Sequence, residues 1–425
     1  MPDGTATRHL YLPKLFSTFK EGYGTALLRK DALAALTVAI VALPLSMAIA
    51  VASGVSPERG LYAAIVGGAV VSALGGSRYQ IGGPAGAFIV LVAATTAKFG
   101  VEGLLATVLL SGVLLTLLGL LGVGALIRHI PQPVTVGFTC GIAITILASQ
   151  IKDLTGISLA GPEPGPLLPK LAALAGAAGT AVPAALAIGT ATAAAIFILR
   201  RWRPTWPGML IAVVLASAAA AALHLPVETI GTRFGQLPHG LPAPRFPTLD
   251  PDLLLRLLPS ALSFTLLGGV ESLLSAKVAD GMTGRKHRSN MELVAQGLAN
   301  VASALFGGIS VTGTIARTAT NVRAGARSPL AGVMHSGFLL AFLLVAAPLA
   351  AFVPLSALAG VLVVVCWNMA EKAAFRRLLR EWPGATVLLA TFLLTLIEDL
   401  TVGIVAGCAT AAVLALAGRK VPQED

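Results

Sequence analysis

Two charged residues stand where charge is least expected. Glu271 lies within the apolar run Phe264–Leu274, and Ser275 follows it by one helical turn. A carboxylate at mid-span costs roughly 2.5–3.5 kcal/mol on the insertion scale. Glu271 therefore reads either as a packing carboxylate paired to a neighbour or as a carrier of H⁺ or Na⁺. In the second reading the Ser275 hydroxyl adds an oxygen for the cation. Arg317 comes within about one turn of the start of another apolar segment. It serves either as a structural partner to a distant carboxylate or as fixed positive potential for an anion.

The stretches Gln80-Ile81-Gly82-Gly83-Pro84-Ala85-Gly86-Ala87 and Gly307-Gly308-Ile309-Ser310-Val311-Thr312-Gly313-Thr314 are poor in helix formers. Each precedes an apolar run too short to cross a bilayer alone. Extended backbone at that depth must be satisfied by protein rather than lipid. A half-helix starting there presents free N–H groups and its positive dipole end. Two such starts facing each other make an anion site with little formal charge. Its residues would be Pro84, Ala85, Gly86 and Ala87 on one side and Gly313, Thr314, Ile315, Ala316 and Arg317 on the other. Matched interrupted segments in two halves of a chain point to a transporter's binding site.

The elements that carry these residues are membrane helices. Of 425 residues 56% are hydrophobic and 12% charged, about half the charge of an ordinary soluble domain. Three widely spaced cysteines in apolar runs, Cys140, Cys366 and Cys408, support neither a disulfide framework nor a zinc site. No HExxH, P-loop, GxSxG or paired CxxC occurs, so neither an enzyme nor a cofactor is expected. Nothing resembles a nucleic-acid module, and the net charge of +11 is assigned to topology.

Apolar segments are expected at 32–50, 58–75, 84–98, 103–123, 132–150, 181–199, 207–223, 254–278, 291–308, 313–323, 329–347, 354–369, 384–398 and 400–417. Gly161–Pro166 reads as a loop, Leu167–Ala178 as an interfacial helix, and 224–250 as the one long connection. Fourteen crossings place 21 Lys and Arg inside, among them Arg8, Arg128 and Lys420, and seven outside. By the positive-inside rule both termini are cytoplasmic, in the cell inner membrane. Pro44 and Ser46 are expected to break the first helix. Lys277 and Asp280 are expected to pair or snorkel, and Glu398 and Asp399 sit at a span boundary. The GxxxG spacings Gly137–Gly141 and Gly403–Gly407 are read as packing.

Several stretches together resemble the sulfate permease (SulP) family of anion transporters. They are Ala42-Leu43-Pro44-Leu45-Ser46-Met47-Ala48-Ile49-Ala50, Gly60-Leu61-Tyr62, Gly82-Gly83-Pro84 and Glu271 through Gly284. Gly313-Thr314-Ile315-Ala316-Arg317, Asn321 through Gly325 and Val365-Cys366-Trp367-Asn368-Met369 continue the match. The resemblance implies an all-α integral membrane fold of 14 segments in two inverted repeats of seven, with short broken helices 3 and 10. The expected repeats are 31–224 and 250–420, behind a cytoplasmic leader of residues 1–30. Segments 1–4 and 8–11 would form a core domain, and segments 5–7 and 12–14 a gate domain. A cytoplasmic STAS domain would follow the last span; a chain stopping at Gln423-Glu424-Asp425 is too short to contain one, either because it is truncated or because the protein lacks the domain.

The same resemblance makes Leu45, Met47 and Ile49 site-facing and gives Glu271 and Ser275 to a coupling cation. Many relatives carry Gln where Leu45 stands, so selectivity does not transfer. The second half looks like bacterial members carrying C4-dicarboxylates. The expectation is thus proton symport of a small anion, fumarate or succinate first, by alternating access. The alternatives are sulfate, Na⁺-coupled bicarbonate, or an anion channel or exchanger. The expected partners are the anion, H⁺ or Na⁺ and the lipid bilayer, with a homodimer allowed and no nucleic acid.

Overall fold

The computed structural model describes residues 11–124, 131–161, 163–164, 167–204, 206–248, 250–398, 400–419 and 422. Arg8, Arg128, Pro162, Gly165, Pro166, Asp399, Lys420 and Gln423–Asp425 lie outside the described residues. The chain is helical almost throughout. It opens with α1 (Lys14–Lys20), α2 (Thr25–Ala52), α3 (Pro57–Tyr62), a π-helical turn Ala63–Gly67 and α4 (Gly68–Leu74). A two-residue strand β1 (Gly82–Gly83) and a 3-10 turn Gly86–Phe88 lead into α5 (Ile89–Leu120). Next come α6 (Gln132–Thr155), α7 (Leu167–Gly176), α8 (Pro183–Trp202), α9 (Gly208–Ala222) and α10 (Ile230–Phe234). The second half holds α11 (Pro251–Thr283), α12 (Ser289–Leu305), β2 (Thr312–Gly313), α13 (Ile315–Arg323) and α14 (Leu330–Ala350). The last helices are α15 (Leu355–Met369), α16 (Lys372–Leu378), α17 (Trp382–Ile397) and α18 (Leu400–Leu416).

Among the described residues, seven helical stretches are long and apolar enough to cross a bilayer by length and composition. The expected spans 84–98 and 103–123 meet at Gly100, whose φ of 69° kinks α5. That left-handed value suits glycine. Pro44 does not interrupt its helix: α2 runs continuously from Thr25 to Ala52 with the proline inside. Proline removes one N–H and crowds the preceding turn, and here the long apolar helix absorbs the change.

The chain forms two compact units. The first comprises Met1–Phe88, Thr95–Arg128 and Ile230–Ala351; the second comprises Ile89–Ala94, His129–Thr229 and Phe352–Asp425. In the first, α2 packs on α3, α13 and α14, while α11 packs on α12, α13 and β2. Its α1 end is tied by polar contacts. Lys14 N–H donates to Gly75 O at 2.9 Å, Arg288 reaches Leu12 O and Ser17 Oγ, and Glu21 pairs with Arg78 and Arg285. The Arg78 hydrogen bond holds the Glu21 carboxyl below the usual carboxylate range. Asp280 accepts from the backbone N–H of His287 and lies 2.7 Å from its Nδ1.

In the second unit α17 lies against both α6 and α18. The two GxxxG spacings explain how. A Cβ on Gly137 or Gly141 would meet Thr391 or Thr395 of α17, and so would one on Gly407 or Gly403 from the other side. The four glycines let three helices approach closely.

Candidate functional site

The site is built where β1 and β2 cross in the first unit. They pair antiparallel, Gly82 opposite Gly313 and Gly83 opposite Thr312. Thr314 N–H extends the ladder to Ile81 O at 3.2 Å. Two residues per strand satisfy little backbone, so side chains complete the rest. Asn300 acts as a surrogate strand for Val311: its Nδ2 donates to Val311 O at 2.7 Å, and its Oδ1 accepts from Val311 N–H at 2.9 Å. Ser303 donates to Ile309 O, Thr318 Oγ1 accepts from Ile81 N–H, and Asn321 donates to Tyr79 O. Buried extended backbone persists here because each of these groups supplies a partner.

Glycine is required at the crossing for space. An added Cβ on Gly83 would lie 3.0 Å from Arg317 Cζ, with Nη1 closer still, and one on Gly313 would lie 2.8 Å from Gln80 Cγ. Arg317 is 1% exposed. Its Nη2 donates to Ser46 Oγ at 3.1 Å and to Pro84 O at 3.2 Å. Its Nε and Nη1 have no hydrogen-bond partner among the described residues, and no ion pair there engages it. The guanidinium thus joins α2, the backbone after β1 and α13. Among the described residues no carboxylate partners it.

α13 starts at Ile315 after Thr314, whose backbone is extended and whose hydroxyl caps nothing. The first helical N–H groups therefore lack intrahelical partners. Ile315 and Ala316 are exposed there, while Thr314 is buried with an unpartnered Oγ1. On the other side Pro84, Ala85 and Ala87 are buried and Gly86 is half-buried. Pro84 O touches Arg317, so these two expected groups do meet.

Leu45, Met47 and Ile49 are all buried. Leu45 and Ile49, one turn apart, share a face of α2; Met47 falls between them on another. The residue of this stretch that touches Arg317 is Ser46.

Glu271 and Ser275 do share one stretch of α11, but not a hydrogen bond. Ser275 Oγ donates to Thr318 Oγ1 at 3.1 Å. Glu271 is half-buried, and its Oε2 is buried without a hydrogen-bond partner among the described residues. Between them Ser272 lies 2.7 Å from Thr312 Oγ1 and accepts from Gly313 N–H, and its carbonyl accepts from Gln80 Nε2 at 3.1 Å. Ser272, Thr312, Thr318, Gln80, Asn300 and Asn321 were absent from the expected set. Their one visible signal was polarity inside apolar or glycine-rich runs.

Among the described residues the arrangement holds one fixed cation without a carboxylate partner beside a helix start, and one carboxylate without a cation on the neighbouring helix. Such a site can hold a small anion through Arg317 and free N–H groups. It can also gain or lose a proton or cation at Glu271.

The sequence profile of the sulfate permease family matches residues 28–392. YvdB of Bacillus subtilis, a protein named for sulfate transport, is 42% identical over 92% of this chain and 74% of its own length. The bicarbonate transporter BicA of a Picosynechococcus strain is 32% identical over 92% of this chain and 70% of its own. The solved transmembrane domain of a cyanobacterial BicA superposes with a TM-score of 0.82 at 30% identity, covering 90% of this chain and 98% of that one. Murine Slc26a9, an anion transporter in an inward-facing state, gives 0.88 at 17% identity over 98% of this chain and 73% of its own, a likeness of fold.

Proposed function

The chain belongs to the sulfate permease family, and on that premise we propose that it is a secondary active transporter of a small inorganic oxyanion. Sulfate or bicarbonate is the class that the similar proteins carry by name. The dicarboxylate expected from the second half has no counterpart among those relatives. The observation that carries the reading is Arg317, buried, without a carboxylate partner among the described residues, and hydrogen-bonded to the backbone after β1. The anion binds at the start of α13, against Arg317 and the chain from Pro84 to Ala87.

Coupling runs through Glu271. Ionised, it repels an anion held nearby; at an effective dielectric of 20, two unit charges at 4 Å interact by about 4 kcal/mol. Protonation removes that repulsion, so anion and proton enter together and leave together. A proton suits this site better than Na⁺ because a single carboxylate with the Ser275 hydroxyl makes a sparse oxygen cage for the metal ion. Fourteen segments with cytoplasmic termini belong to the same reading, the 9-residue α13 counting as a segment only together with the extended chain before it. Alternating access then exposes one site to each side in turn.

Uptake of labelled sulfate, bicarbonate and fumarate into liposomes, with an inward H⁺ or Na⁺ gradient, tests this directly. Saturable uptake of sulfate or bicarbonate driven by H⁺ alone is expected, and Ala316→Trp should abolish it. Fumarate uptake exceeding both, or drive by Na⁺ alone, would replace the substrate or the coupling ion named here.

A further inference from the structure

All four tryptophans of the chain lie in the second unit, and all are exposed: Trp202, Trp206, Trp367 and Trp382. They sit at the end of α8, in the turn to α9, at the end of α15 and at the start of α17. Contacts tie these places into one end of the unit. Arg200 donates to Asn368 Oδ1 at 2.6 Å, Lys372 lies 4.3 Å from the Trp367 ring, and Arg377 donates to Gln132 Oε1 at the start of α6. Arg419, after α18, lies 6.0 Å from the Trp382 ring.

This end is also strongly basic. Residues 200–203 supply three arginines, and 372–380 supply Lys372, Arg376, Arg377 and Arg380. With Arg419 the eight cations are all exposed; neither segment contains a carboxylate, and Glu371 and Glu381 flank the second. The contacts above are with neutral groups, so the charges remain. α16 shows which way they face. Its Leu378, with Ala374 and Phe375, packs on Val136, Cys140 and Leu388, while Lys372, Arg376 and Arg377 are exposed. A short helix with its apolar side on the bundle and its cations outward, ringed by tryptophan, matches the boundary between acyl chains and headgroups.

We propose that this end of the second unit is a docking surface for anionic phospholipid headgroups. Tryptophan rings seat at the boundary, and the arginines and Lys372 collect lipid phosphates. Such a surface enriches anionic over neutral lipid around the unit; one cation at an anionic surface is worth about fivefold.

Because every tryptophan lies here, intrinsic fluorescence reports on this surface alone. The test places the full chain in mixed liposomes in which either phosphatidylglycerol or phosphatidylcholine carries brominated acyl chains, at equal mole fraction. Brominated phosphatidylglycerol should quench at least about fivefold more effectively per mole. The preference should shrink in 1 M salt, where the Debye length is about 3 Å, and in the triple variant Arg376→Gln, Arg377→Gln, Arg380→Gln. Equal quenching by the two lipids in the unaltered protein overturns the proposal. So does a preference that survives both salt and the triple variant. The salt arm decides the matter even if the variant fails to fold.

Discussion

Replacing Arg317 with glutamine removes one buried cation and leaves a shorter, neutral amide donor short of Ser46 Oγ and Pro84 O, which the guanidinium holds at 3.1 and 3.2 Å. Two consequences of opposite sign follow. The anion loses a charge-assisted hydrogen bond, worth about 1.5–3 kcal/mol, so binding should weaken roughly 10- to 150-fold. The fold loses a buried charge that has no carboxylate partner among the described residues, and removing such a charge relieves desolvation. The melting temperature should therefore hold or rise. Equilibrium binding of labelled sulfate or bicarbonate in detergent, with a melt of the same sample, reads both. Arg317→Lys keeps the charge but not the planar fork and should fall between. Undiminished binding by a folded Arg317→Gln protein would refute the placement of the anion. A lowered melting temperature matching the loss of binding would make Arg317 a structural residue.

Alanine at Gly83 or Gly313 would press on Arg317 or Gln80 and should abolish binding by parting β1 from β2, read by binding beside circular dichroism. Asn300→Ala leaves both polar groups of Val311 unpaired; at about 1–3 kcal/mol each, denaturation should show a loss of about 2–6 kcal/mol. Glu21 has its carboxyl pKa lowered in the fold, so its tie to Arg78 holds above the ordinary glutamate value of about 4.3 and is lost as pH falls through the lowered one. Hydrogen exchange across α1 should accelerate only in that acid range, and Glu21→Gln should remove the dependence.

Much of this site is visible in the residues before any fold is built. Gly82-Gly83-Pro84 and Thr312-Gly313 interrupt apolar runs, and such interruptions must be satisfied by protein; both stretches are the strands of the crossing. Glu271 and Arg317 stand out because charge in an apolar run needs a reason. What spacing does not carry is partnership across 230 residues. That Gly82 faces Gly313 depends on how α4 packs on β1 and α11 on β2. Directions of side chains were also hidden. Ser275 sits one turn from Glu271 yet turns to Thr318, and Arg317 reaches Ser46 rather than a carboxylate. Pro44 read as a break because proline lacks an N–H, whereas the packed α2 carries it without interruption.

Glu271→Gln in liposomes tests the coupling on which the account turns. The amide is uncharged like the protonated acid, so anion should still bind and exchange across the membrane. It cannot take up a proton, so an inward pH gradient should no longer drive accumulation of the labelled oxyanion that the unaltered protein concentrates. Equal accumulation by the two proteins under the same gradient would contradict the account.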